Sequence, residues 1–197
     1  MRLPLWLSQH VAALRALLVL TVLLGLAYPL AFVAIGKIPG LSDKSGGSLV
    51  AHGSTLIGQS FTDSGGNPIP KYFQSRPSAA GKGYDPLASG ASNLGPENPA
   101  LVKAVAQRRA AAASLDGTNP AKVASDALTA SGSGLDPDIS PAYAAQQVDR
   151  VARVRGISPG QVRALVARYT TGRGLGFLGE PHVNVLELNL ALDRLAS

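Results

Sequence analysis

In this 197-residue chain, Ser133 in the string ASGSG (130–134) comes nearest to a nucleophile. A hydrolase elbow needs glycine two residues before the serine, and Ser131 stands there, so a glycine-dictated turn is the simpler reading. His10, His52 and His182 contain no pair at metal-ligand spacing, and the absence of cysteine excludes thiolate zinc sites, disulfides and a thiol nucleophile. Asp136-Pro-Asp138 resembles the start of a calcium loop, but Pro141 and Gln147 fall where glycine and glutamate are required.

The remaining motifs fail for similar reasons. Gly174-Leu-Gly176-Phe-Leu-Gly179 matches GxGxxG formally, yet it follows an expected helix and runs into Glu180-Pro181, so it reads as a loop. There is no GxxxxGK[ST] phosphate loop. Asp43-Lys44-Ser45-Gly46-Gly47 differs from the aspartyl-phosphorylation sequence DKTGT at two of five positions and sits in a linker. Arg150, Arg153, Arg155, Arg163, Arg168 and Arg173 alternate with Val and Ala at helical spacings. With no aromatic platform nearby they read as a solvated helix face, not as a nucleic-acid surface. No catalytic, cofactor-binding or metal-ligating residue is therefore assigned.

The composition explains what such a chain is built for. Hydrophobic residues make up 46% and charged residues 15%, with 22 Gly, 14 Pro and a net charge of +6. An ordinary soluble domain carries about 25% charge. Arg2, Arg15 and Lys37 give residues 1–37 a charge of +3 with no acid, so half the excess flanks one apolar segment. Ala16–Ile35 is uncharged throughout, and 20 helical residues span about 30 Å, the hydrocarbon thickness of a bilayer. This run is longer than a signal peptide's apolar region, and its small-x-small sites lie inside it, so an uncleaved anchor is expected. Short-range charge counting favours an N-terminus inside.

The expected organisation is a cytoplasmic N-terminus (1–15), a transmembrane helix (16–36), a linker (37–47) and one compact extracytoplasmic α+β domain (48–197). Within that domain Ser48–Phe61 reads as extended, and residues 62–97, dense in Gly, Pro, Asn and Ser, as irregular loop. Asn98-Pro99, Ser140-Pro141 and Ser158-Pro159 each pair an N-cap with proline at the first helical position, and Gln161 adds a possible capping box. Tyr143, Val148, Val151 and Val154 form the apolar stripe of the second helix, and Leu165, Val166 and Tyr169 that of the third. Val183–Leu188 reads as a strand and Asn189–Ala196 as a terminal helix.

Several strings are more specific than any of these patterns: GSTLIGQSF (53–61), KYFQSRPSA (71–79), YDPLASGASNLGPENPAL (84–101), TASGSGLDPDISPAYAAQQVDRVARVRG (129–156) and GEPHVNVLELNLALD (179–193). In this order, behind an N-terminal anchor, they resemble the C subunit (KdpC family) of the Kdp potassium-transporting P-type ATPase over nearly the whole chain. Asp138 stands where many relatives have histidine, and residues 102–127 match only in character.

The resemblance implies a non-catalytic accessory and assembly subunit of an ATP-driven, high-affinity potassium import complex. It implies three protein partners: a channel-like potassium-binding subunit, a P-type ATPase catalytic subunit and a small peptide subunit. The bilayer is a further partner, with the domain outside the bacterial cytoplasmic membrane, and nucleic acid is not one. ATP and potassium are used by the complex. The family attribution of ATP binding to this subunit finds no phosphate loop here. The irregular 58–97 segment is expected to face the partners, through Gln59, Arg76, Ser78, Tyr84, Asp85, Ser92 and Asn93. The competing expectation is a membrane-anchored extracytoplasmic hydrolase or ligand-binding module using Ser133.

Overall fold

The computed structural model describes residues 4–195, so Arg2 and Ala196 lie outside it. The chain divides into two units after Leu49.

The first unit is dominated by one helical run, Leu5–Gly36, long and apolar enough to cross a membrane. It comprises α1 (Leu5–Val22), a π-helical turn (Leu23–Ala27) and α2 (Tyr28–Gly36), with no residue buried. The π-turn has a local cause. Pro29 lacks an N–H, and its ring presses on the carbonyl four residues back, that of Gly25, so the wider turn absorbs the mismatch there. A single turn, α3 (Ser42–Ser45), follows, and the Ser45 hydroxyl donates to the Gly36 carbonyl at 2.8 Å.

The second unit is α+β. The expected extended segment 48–61 contains only two two-residue strands, β1 (Leu49–Val50) and β2 (Gly53–Ser54), because glycines 53 and 58 interrupt it. Three helices then begin at the sequence signals. In α4 (Pro99–Asp116) the Asn98 side chain accepts from the Ala100 amide, and Gly117 ends the helix in a left-handed conformation at φ 66°. β3 (Asp138–Ile139) precedes α5 (Pro141–Arg155), which is capped by Ser140 and closed by Gly156. α6 (Pro159–Arg168) carries the full Ser158/Gln161 capping box. β4 (Thr170–Thr171), β5 (His182–Asn184) and α7 (Val185–Leu195) complete the chain.

The sheet runs β3-β5-β4, both pairings antiparallel, with Ile139 opposite Val183 and Thr171 opposite His182. The alternation in Val183–Leu188 misleads, because the strand stops at Asn184 and Val185–Leu188 are helical. Asn184 accepts from the Glu187 amide at 3.1 Å, an N-cap three residues ahead of a glutamate. Leu188, Ala191 and Leu192 then line one buried face.

Phe73, Ile139, Tyr143, Val148, Val151, Val162, Val166, Val183, Leu188 and Leu192 form the core. Val154 is 48% exposed and leaves the stripe expected of α5. Helical spacing explains the change: with Tyr143, Ala144, Val148, Val151 and Ala152 facing inward, position 154 turns outward.

The largest departure is Arg150, expected on a solvated face but only 1% exposed. Its Nε donates to Asp116 Oδ1 at 2.7 Å, and its terminal nitrogens reach Gln147 Oε1 and the carbonyls of Pro70 and Tyr72. Its neighbours Arg155, Arg163 and Arg173 pair with Asp193, Asp149 and Glu180, so the basic series is divided among separate ion pairs.

Candidate functional site

Residues 70–78 run along the core, with Phe73 buried in it, without a partner strand, which leaves their backbone groups to be satisfied by side chains. The Lys71 carbonyl accepts from Arg155 Nε at 2.7 Å. Phe73 exchanges both its backbone bonds with the buried Asn189 amide, each at 2.9 Å. Gln74 does the same with buried Gln147, at 2.7 and 3.1 Å. Tyr72 lies under the Arg155 guanidinium, and its hydroxyl donates to Asp193. Two helices thus replace a neighbouring strand.

Beyond Gln74 the chain enters a knot of turns. Ser78 Oγ donates to the Gly134 carbonyl at 2.6 Å and accepts from the amides of Ala80 and Tyr84. Tyr84, at φ 57°, donates its hydroxyl to the Arg76 carbonyl at 2.6 Å. Burial pushes the Tyr84 phenol up to about 12, so it stays protonated as the donor. Arg76 Nη1 meets Asp136 Oδ2 at 2.8 Å, while Arg76 Nε is buried with no hydrogen-bond partner among the described residues. Gly134, at φ 69°, is dictated by crowding: a Cβ there would lie 2.7 Å from the Ala80 nitrogen and 2.8 Å from the Gly90 oxygen. Gly58 donates to the Leu135 carbonyl, and Gly90 and Ser89 donate to that of Ser133.

The strings 53–61, 71–79, 84–101 and 129–156 therefore meet in one place, joined through backbone groups of residues 133–135. A cleft of about 310 Å³ opens beside them, lined among others by Ser60, Ser75, Arg76, Ser78, Lys82 and Tyr84.

The seven expected contact residues separate into two groups. Arg76, Ser78 and Tyr84 are half-buried and hold the knot, Asp85 accepts from the Leu87 amide at 2.9 Å, and the Gln59 carbonyl accepts from Ser75. Ser92 and Asn93 are exposed, Asn93 at φ 52°. Sequence reasoning passed over Leu87, which is 96% exposed on the one-turn helix Pro86–Ala88. The signal was present in Asp85-Pro86, an N-cap and proline start that fixes this turn and turns Leu87 outward.

The Ser133 hydroxyl accepts from the Leu135 amide at 3.1 Å, closing a turn. His182 faces elsewhere, with Nδ1 3.0 Å from the Glu180 carbonyl and Nε2 3.9 Å from Asp138, whose carboxyl is raised above its ordinary range by burial. Among the described residues no group of three His, Asp or Glu side chains could hold a metal ion.

The model of the family described as "KdpC: K+-transporting ATPase, c chain" matches residues 10–194. The chain belongs to that family. It is 59% identical over 192 residues to a potassium-transporting ATPase KdpC subunit of Kineococcus radiotolerans, covering 94% of this chain and 93% of the relative. A subunit of the same description from Sorangium cellulosum is 54% identical, over 92% of this chain and 95% of its own. One from Mycobacterium tuberculosis is 50% identical, over 95% and 98%.

Proposed function

We propose that the chain is the anchored accessory subunit of an ATP-driven potassium importer, working through contacts and carrying no catalytic step itself. The observation that carries this reading is the family match, which runs from residue 10 to residue 194 and so covers the apolar helix and the α+β unit together.

In this reading residues 1–15 are cytoplasmic, 16–36 span the bilayer, 37–47 link, and 48–197 form the extracytoplasmic domain. Arg15 and Lys37 bracket the span. The domain docks on the channel-like subunit and stabilises the pump, while the P-type catalytic subunit binds ATP and the small peptide subunit completes the assembly. The knot built by Arg76, Ser78 and Tyr84 supports this by holding the 84–97 loop rigid, with Leu87, Ser92 and Asn93 presented to solvent. Such preorganisation reduces the ordering cost of docking.

The lack of cysteine makes orientation directly testable. Ser92→Cys in intact cells is expected to react with a membrane-impermeant maleimide, and Ser8→Cys only after lysis. The reverse pattern would invert the topology. Docking is tested by Leu87→Ser combined with Asn93→Gly, whose positive φ glycine accepts. This variant is expected to lower potassium uptake and recovery of the channel-like subunit, and wild-type values for both would remove this face from the interface.

A further inference from the structure

The helical run Leu5–Gly36 has a defect in its main-chain bonding, midway between the bracketing charges Arg15 and Lys37. In the π-turn Leu23–Ala27 the Tyr28 amide donates five residues back, to the Leu23 carbonyl. A regular α-helical turn would have sent it to Leu24. The next residue, Pro29, has no N–H to give. The Leu24 carbonyl thereby loses both the amide four residues on and the one five residues on.

The span itself cannot replace these donors. Between Ala16 and Gly36 the only side chains with an O–H or N–H are Thr21 and Tyr28. A helical threonine reaches carbonyls three or four residues before it, away from Leu24. Tyr28 lays its ring against Phe32, 4.7 Å between centroids and one turn further on. Water would satisfy such a carbonyl at a surface, but at the middle of a bilayer an unpaired acceptor is costly. No residue of the run is buried against the rest of the chain, so the donor has to come from outside it.

We infer that the Leu24 carbonyl accepts a hydrogen bond from a hydroxyl or carboxamide side chain on a neighbouring membrane helix of the transport complex. The inference rests on the assembly reading above and adds the chemistry by which the span is held. Lipid tails carry no donor, and neither does a wholly aliphatic helix. Gly25 opens the approach, because backbones come close in a membrane where a residue has no side chain. Nothing within the chain demands that glycine. A Cβ there would meet nothing closer than Thr21 Cγ2, at 3.9 Å.

The test uses the tagged full chain, co-expressed with the other subunits and recovered in mild detergent. Wild type is compared with Gly25→Leu and Ala34→Leu, which add bulk at exposed positions nine residues apart, on opposite faces of the helix. Gly25→Leu should lower partner recovery about tenfold or more, and Ala34→Leu should leave it unchanged. Wild-type recovery by Gly25→Leu, or equal losses in both variants, would overturn the docking point and leave the assembly reading standing. Tyr28→p-benzoylphenylalanine, irradiated in membranes, should crosslink to a helix with Ser, Thr, Asn or Gln within one turn of the contact. A crosslink to lipid alone, or to a wholly aliphatic stretch, would overturn the donor. Replacing the mapped donor with an aliphatic residue should lower recovery about fivefold, but not beside Pro29→Ala, which returns an N–H to the helix. Equal losses in the two backgrounds would overturn the hydrogen bond. Failure of the wild-type chain itself to recover a partner would overturn the assembly reading and this inference with it.

Discussion

Residues 70–78 and 173–180 are both irregular, and their relations to solvent are opposite. The first runs along the core, where Asn189, Gln147, Arg150 and Arg155 satisfy its backbone. The second satisfies its own backbone and leaves its apolar side chains in water. Irregular backbone is thus tied into the architecture in one place and left at the surface in the other. What separates them is where the hydrogen bonds go, which composition does not reveal.

Breaking the clamp gives the largest expected effect. Arg150→Ala leaves Asp116 charged and buried and removes donors from two carbonyls, so it should destabilise by about 3–5 kcal/mol in chemical denaturation. Replacing the pair together, as Arg150→Met with Asp116→Leu, should recover part of that loss. Asn189→Ala, which orphans both backbone groups of Phe73, should cost about 2–4 kcal/mol by the same measurement. A small effect from either would mean that residues 70–78 are held by apolar packing instead.

These polar clamps were the least legible part of the sequence. Caps announced themselves, since Asn98-Pro99, Ser140-Pro141 and Ser158-Pro159 are local signals with local causes. The long-range partners of Gln147, Arg150 and Asn189 lie from 34 to 116 residues away, so helical spacing could place Arg150 on a face but could not say that the face was buried. Asn184 was a local signal overlooked because the valines around it alternate like a strand. In the candidate site, the strings carrying the resemblance converge in space, where Arg76, Ser78 and Tyr84 hold the knot while Leu87, Ser92 and Asn93 face outward. That division depends on the meeting of residues 133–135 with residues 58, 78 and 90, which only the fold creates.

Tyr84 makes the knot sensitive to alkaline pH. Its phenol is neutral in the fold up to about 12, whereas the unfolded chain ionises near a tyrosine's ordinary value of 10.0. The native state therefore holds the extra proton in that interval, and stability falls as pH rises through it, by up to about 3 kcal/mol. Tyr84→Phe should flatten the alkaline decline while forfeiting the bond to Arg76, as seen by denaturation from pH 8 to 12. The smallest stability effect belongs to the exposed turn: Phe177→Ser should change unfolding by no more than about 0.5 kcal/mol. A larger loss would make the turn a structural element and end the contrast with residues 70–78.

On the proposed function, this chain works by assembling with a potassium pump. Affinity purification of the tagged full chain in mild detergent, from cells starved of potassium, tests it most directly. A P-type ATPase subunit and a channel-like subunit are expected to be recovered in constant proportion to the chain. Recovery of the chain alone, under conditions where both subunits are present in the membrane, would contradict it.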